Sequence, residues 1–253
     1  MKKLLFVFAL FLSMTQLWSQ DMNSSATSSK SEENRNFRIP LIGEKAPSFT
    51  AESTNGTITF PDDFGRKWKI LFSHPADYTP VCSSEILELA HLQKEFDKLG
   101  VKLVVVSTDP LATHNQWKKA LEDLEYKGRT KASIKFPLVD DDKLVVSKQY
   151  GMIHPKSNTT KDVRGVFIID PADVVRAIYF YPMEVGRSTD ELIRTITALQ
   201  TADKGGIMTP ADWKAGNDVL VPYNPAVDPT RPETVPEGYY QTAWFMWYKK
   251  AAY

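Results

Sequence analysis

Between residues 69 and 107 the hydrophobic pattern changes period twice, and this limits what the chain can fold into. A short apolar run, Ile70, Leu71 and Phe72, gives way to a turn segment holding Pro75 and Pro80, neither of which suits a strand or helix interior. From Ser83 the apolar residues Ile86, Leu89, Ala90, Leu92, Phe96 and Leu99 recur at helical spacing, and Gly100 supplies a stop. Val101 then opens a β-branched run to Ser107 that reads as a buried strand.

The alternation continues to about residue 201. A helix is expected over 113–125, an extended piece over 136–139, a short helix over 143–150, strands over 166–170 and 174–180, and a helix over 189–201. This order implies an α/β chain with a mixed central sheet and helices on both faces. With 253 residues, 42% of them hydrophobic, there is material for one large core or one core plus an appendage. The appendage is expected at 204–253, where Pro222, Pro225, Pro229, Pro232 and Pro236 crowd together ahead of an aromatic end running from Tyr239 to Tyr248. That end suits core packing, an edge strand or docking on another subunit.

The first twenty residues stand apart, because Lys2 and Lys3 precede an apolar run from Leu4 to Leu12 and a polar stretch follows. This reads as a secretory signal peptide over 1–20, too short to span a bilayer, with a disordered leader over 21–38 and no later membrane segment. An exported protein, periplasmic or extracellular, is therefore expected. Basic and acidic residues balance at 31 each with no basic cluster, which excludes an electrostatic footprint for nucleic acid.

Export sharpens the meaning of Cys82, the only cysteine. A lone cysteine makes no internal staple, and oxidising compartments commonly pair them. On general grounds it is a small buried filler. Its position argues for chemistry instead, since the opening turn of the 83–99 helix concentrates unpaired N–H groups and the positive end of the helix dipole, which favour a thiolate. His91, His114 and His154 lack metal-type spacing and are assigned structural roles, as is a core Trp117, and neither metal nor cofactor is called for.

The words around Cys82 resemble the peroxiredoxin family and, more closely, its one-cysteine subfamily. Pro75, Thr79 and Cys82 match the family's Pro-x-x-x-Thr/Ser-x-x-Cys signature; His74 and Glu85 fit the one-cysteine wording, with Tyr78 where phenylalanine is more usual. Arg164 fits the family's active-site arginine, Gly186-Arg187 its second arginine, and residues 209–214 resemble the start of the C-terminal extension. The resemblance covers roughly 41–222 and implies a thioredoxin-like fold, a homodimer with the extension at its contact, and reduction of hydroperoxides by an external thiol.

Under that resemblance Cys82 is the nucleophile, Thr79 hydrogen-bonds the peroxide, Arg164 favours the thiolate and the leaving oxygen, and Pro75 shields the sulfur from water. Glu85 and Arg187 would hold Arg164, while His74 either tunes the site or is satisfied structurally. Some one-cysteine relatives carry a Gly-x-Ser-x-Gly-like lipase word ahead of the cysteine strand. Lys67 stands in the serine's place, so no serine lipase activity is expected. A Cys-x-x-Cys disulfide exchanger is excluded by Glu85, and the local word of papain-like proteases is missing. The alternative from another class is a non-catalytic holdase or envelope interaction protein that binds through the aromatic end.

Overall fold

The computed structural model describes residues 38–158, 160–222 and 235–251. The expected signal segment and all of the expected leader except Arg38 lie outside these residues. Among the described residues no helix is long and apolar enough to cross a membrane.

The centre is a five-stranded sheet in the order β5-β4-β3-β6-β7, formed by β3 (Trp68–Ser73), β4 (Val101–Ser107), β5 (Leu138–Asp140), β6 (Arg164–Ile169) and β7 (Val175–Tyr181). β3 runs parallel to β4 and antiparallel to β6, which makes the sheet mixed. Alternate residues of each strand serve opposite faces. Ile70, Phe72, Val105, Val166 and Ile168 join one apolar core, and Leu71, Val104, Val106, Phe167 and Ile169 the other. The first core is covered by α1 (Pro80–Lys98), α2 (Leu111–Glu122) and α4 (Thr189–Ala202) through residues such as Ile86, Trp117, Leu121 and Ile196. The second is closed by α3 (Val145–Gln149) and by the hairpin of β1 (Phe49–Ala51) and β2 (Ile58–Phe60).

Several boundaries move for local reasons. α1 starts at Pro80, not Ser83, because proline at a first helical position lacks only an N–H that would have no partner. α2 runs from Leu111 to Glu122 in place of 113–125, following directly on Pro110. β5 begins after Pro137, and β6 begins at Arg164 because Arg164 pairs with Tyr181. The aromatic end resolves into β9 (Tyr239–Ala243) and β10 (Met246–Lys249), which with β8 (Val219–Val221) form a small sheet in the order β8-β10-β9. Trp247 of β10 is buried, as is Trp213 ahead of β8, whose Nε1 donates to the Asn217 carbonyl at 3.0 Å, whereas Trp244 and Phe245 project from the β9–β10 turn.

Candidate active site

The turn between β3 and α1 places the cysteine beyond the C-terminal end of the sheet's central strand, in the first turn of a helix. Thr79 is the N-cap residue of α1, and Cys82 is the third helical residue. The Thr79 hydroxyl donates to the Ala76 carbonyl at 2.9 Å and leaves the helix uncapped by any side chain. The turn is tight enough that Tyr78 takes a left-handed backbone conformation, φ 58°, with its ring exposed. Pro75 is buried just past the end of β3, and Cys82 is fully buried.

Arg164 reaches the sulfur from β6, with Nη1 3.3 Å from Cys82 Sγ. The same Nη1 donates to Glu85 Oε2 at 2.7 Å, and Nε and Nη2 donate to the Met183 carbonyl at 3.0 and 2.6 Å. Glu85 lies one helical turn after Cys82 and also receives Arg187, through its backbone N–H, Nε and Nη2 at 2.8, 2.9 and 2.8 Å. Arg187 completes its set with the Gly165 carbonyl at 2.8 Å and sits over the Phe72 ring, 3.3 Å from the centroid. One carboxylate thus fixes two buried guanidiniums. Burial alone would raise the Glu85 carboxyl, but the hydrogen bonds and charge of Arg187 and the charge of Arg164 outweigh it and hold the group below the usual carboxylate range. Burial likewise lowers the Arg187 guanidinium against the opposing pull of Glu85.

Behind the turn, Asp77 is held between two histidines. His74 Nε2 lies 2.8 Å from Asp77 Oδ1 and His114 Nδ1 lies 2.7 Å from Oδ2, with His114 Nε2 3.1 Å from the Val139 carbonyl. Burial lowers the His74 imidazole below its ordinary value. Its ring lies 5.1 Å from that of Trp117, whose Nε1 donates to Ser83 Oγ at 3.3 Å. His74, Asp77 and Asp109 bring one donor atom each to within 4.8 Å of one another. That set does not suit a metal ion, because both Asp77 oxygens serve the histidines, Asp109 Oδ2 accepts the Asp77 N–H and Asp109 Oδ1 accepts Lys161.

The structure therefore gathers Cys82, Glu85, Arg164 and Arg187 into one contact network and places Thr79 and Pro75 on the turn leading to it. The Met183 carbonyl and the Asp77–His114 contact had no mark in the sequence: the first is a backbone atom, and the second joins residues 37 positions apart. Lys67, in the position of the lipase serine, is exposed just ahead of β3.

A family model described as the AhpC/TSA family matches residues 42–178, and one described as the C-terminal domain of 1-Cys peroxiredoxin matches 198–231. The chain belongs to the peroxiredoxins, in their one-cysteine subfamily. It is 45% identical over 215 residues to a peroxiredoxin of Methanosarcina mazei, covering 84% of this chain and 98% of the relative. A peroxiredoxin of Thermotoga maritima is 41% identical over 217 residues, covering 84% and 98% of the two chains. Among solved structures, the yeast mitochondrial 1-Cys peroxiredoxin matches with TM-score 0.73 and 35% identity, covering 84% of this chain and all of that one. A cysteine-to-serine mutant of the peroxiredoxin 6 of Arenicola marina matches with TM-score 0.73 and 31% identity over 84% and 98%. The fold is thus the thioredoxin-like fold of peroxiredoxins, and the protein is a thiol peroxidase.

Proposed function

We propose that this peroxiredoxin reduces hydrogen peroxide and organic hydroperoxides through a sulfenic acid on Cys82. The observation that carries this is the Arg164 guanidinium 3.3 Å from the sulfur, held there by Glu85 and the Met183 carbonyl. The thiolate attacks one peroxide oxygen, the O–O bond breaks, and the other oxygen leaves as alkoxide or hydroxide and takes a proton from solvent. Arg164 meets both the thiolate and the developing charge, which is where fixed donors contribute most. Thr79 has its proton on Ala76, so its oxygen accepts from the peroxide O–H. Pro75 adds a donor-free wall beside the sulfur.

With one cysteine the cycle closes outside the chain. An external thiol condenses with the sulfenic acid, releasing water and forming a mixed disulfide, and a second thiol releases Cys82. The yeast relative is described as resolved through glutathione/thioredoxin systems, which supports an external thiol here as well. The Lys-Lys start and apolar run of residues 1–20 support export with cleavage of the signal peptide, so the enzyme would serve antioxidant defence in the cell envelope as a homodimer. Mature protein should consume peroxide with an added thiol, and Cys82→Ser should stop it. Peroxide consumption that survives the substitution would sink the mechanism, whereas a holdase would keep its client binding in the variant.

A further inference from the structure

Asp162 is the least provided-for ionisable group among the described residues. It is 0% exposed, and neither carboxylate oxygen meets a hydrogen-bond donor. Its surroundings do not welcome a charge. Asp141, from the turn before α3, is also buried, with Oδ1 accepting the Val146 N–H at 3.0 Å and Oδ2 accepting the Ser147 N–H and hydroxyl at 2.7 and 2.5 Å. The Ser147 hydroxyl, which would otherwise serve Asp162, is therefore spent on Asp141. Asp109, from the β4–α2 loop, adds a second negative neighbour. The nearby cation, Lys161, is committed to Asp109 at 2.8 Å. Burial, reinforced by these carboxyls and only partly opposed by the nearby Ser147 hydroxyl and the Lys161 charge, pushes the Asp162 carboxyl up to about 8.

Asp162 also lies two residues before Arg164, and the link between them is taut. The Val163 N–H donates to the Met152 carbonyl at 2.9 Å, and the Val163 carbonyl accepts Ser73 Oγ at 2.8 Å. Lys161 ties the same segment through Asp109 to the backbone N–H of Asp77. We propose that Asp162 is an alkaline-sensitive latch on Arg164: as the neutral acid it lets the segment seat the first residue of β6, and its ionisation unseats it. A carboxylate with no donor cannot stay dry, so losing its proton to solvent brings in water or moves the backbone. Either outcome displaces a guanidinium whose value depends on sub-ångström placement.

The sign follows from proton counting. Between 3.8 and about 8 the unfolded chain has released the Asp162 proton and the folded chain has kept it, so stability falls as pH rises across that window and levels off above it. The test compares wild type with Asp162→Asn from pH 5 to 9.5. The wild-type melting temperature should fall relative to the variant by roughly 3–5 °C per pH unit up to about pH 8 and run parallel above. The rate of Cys82 oxidation by peroxide, as a wild-type to variant ratio that cancels the cysteine's own titration, should drop several-fold across the Asp162 titration. A protonated-carboxyl stretching band lost from wild type between pH 7 and 9 gives a readout that needs no variant. A flat rate ratio, or no such band, overturns the latch. The inference rests on Arg164 acting on Cys82, yet the two fail differently: a flat ratio leaves the Cys82 assay untouched, and activity in Cys82→Ser leaves the melting curves untouched.

Discussion

Glu85 decides the geometry around the sulfur more than any other single residue, because it is the one carboxylate shared by Arg164 and Arg187. Glu85→Gln leaves two buried guanidiniums facing each other without their counter-charge, and breaking such a set costs about 3–5 kcal/mol. A denaturant melt should show that loss, and the peroxide rate should fall with it. The pH dependence has a fixed sign. With its folded value below the ordinary 4.5, Glu85 contributes stability that is present above 4.5 and lost as pH falls through the folded value. Acid unfolding below pH 4.5 should therefore be steeper in wild type than in Glu85→Gln, and matching acid limbs would count against the network. Arg164→Lys tests the fork itself. A lysine has no planar fork to engage the sulfur, Glu85 and the Met183 carbonyl together, so stopped-flow oxidation of Cys82 should slow by about 10²–10³-fold. An unchanged rate would show that a point charge suffices.

At the scale of elements, the strands and helices with a full period were legible, as were the short β5 and α3, expected as an extended piece over 136–139 and a short helix over 143–150, whereas the other short strands were not. β3, β4, β6 and β7 and helices α1, α2 and α4 each present enough alternation or helical recurrence to identify them. β1, β2 and β8 are three residues long, and a period cannot be read from three residues. The site divides in the same way. Cys82 and Glu85 share a helix at a spacing the sequence displays, whereas Arg164 and Arg187 arrive by tertiary pairing and entered through the family resemblance. The start of α4 offers an element-level test. Ser188, the residue after Arg187, accepts the Glu191 N–H on its hydroxyl at 3.2 Å as N-cap. Ser188→Ala should cost about 1 kcal/mol, a melting shift of roughly 2–4 °C in calorimetry. No shift would mean that the helix start is held by Arg187 and the sheet instead.

For the whole molecule, the open demand is what covers the β9–β10 turn. Trp244 and Phe245 are 64% and 60% exposed and pack edge to face with ring centroids 5.3 Å apart. Tyr78 and Val185 add exposed apolar surface elsewhere. Aromatic rings this exposed on a hairpin tip suit an interface, which draws much of its binding free energy from a few such side chains. A second copy of the chain, with the extension at the contact, would bury them. Sedimentation velocity of the mature protein should then give twice the monomer mass, and Trp244→Ser with Phe245→Ser should shift it toward the monomer at low concentration. The fold should survive, because the substitutions remove side chains that project into solvent while Trp247 keeps the hairpin seated. Near-ultraviolet circular dichroism would separate lost association from lost structure. If the doubly substituted protein stays associated with its spectrum intact, the extension lies outside the contact and the tip awaits a different partner.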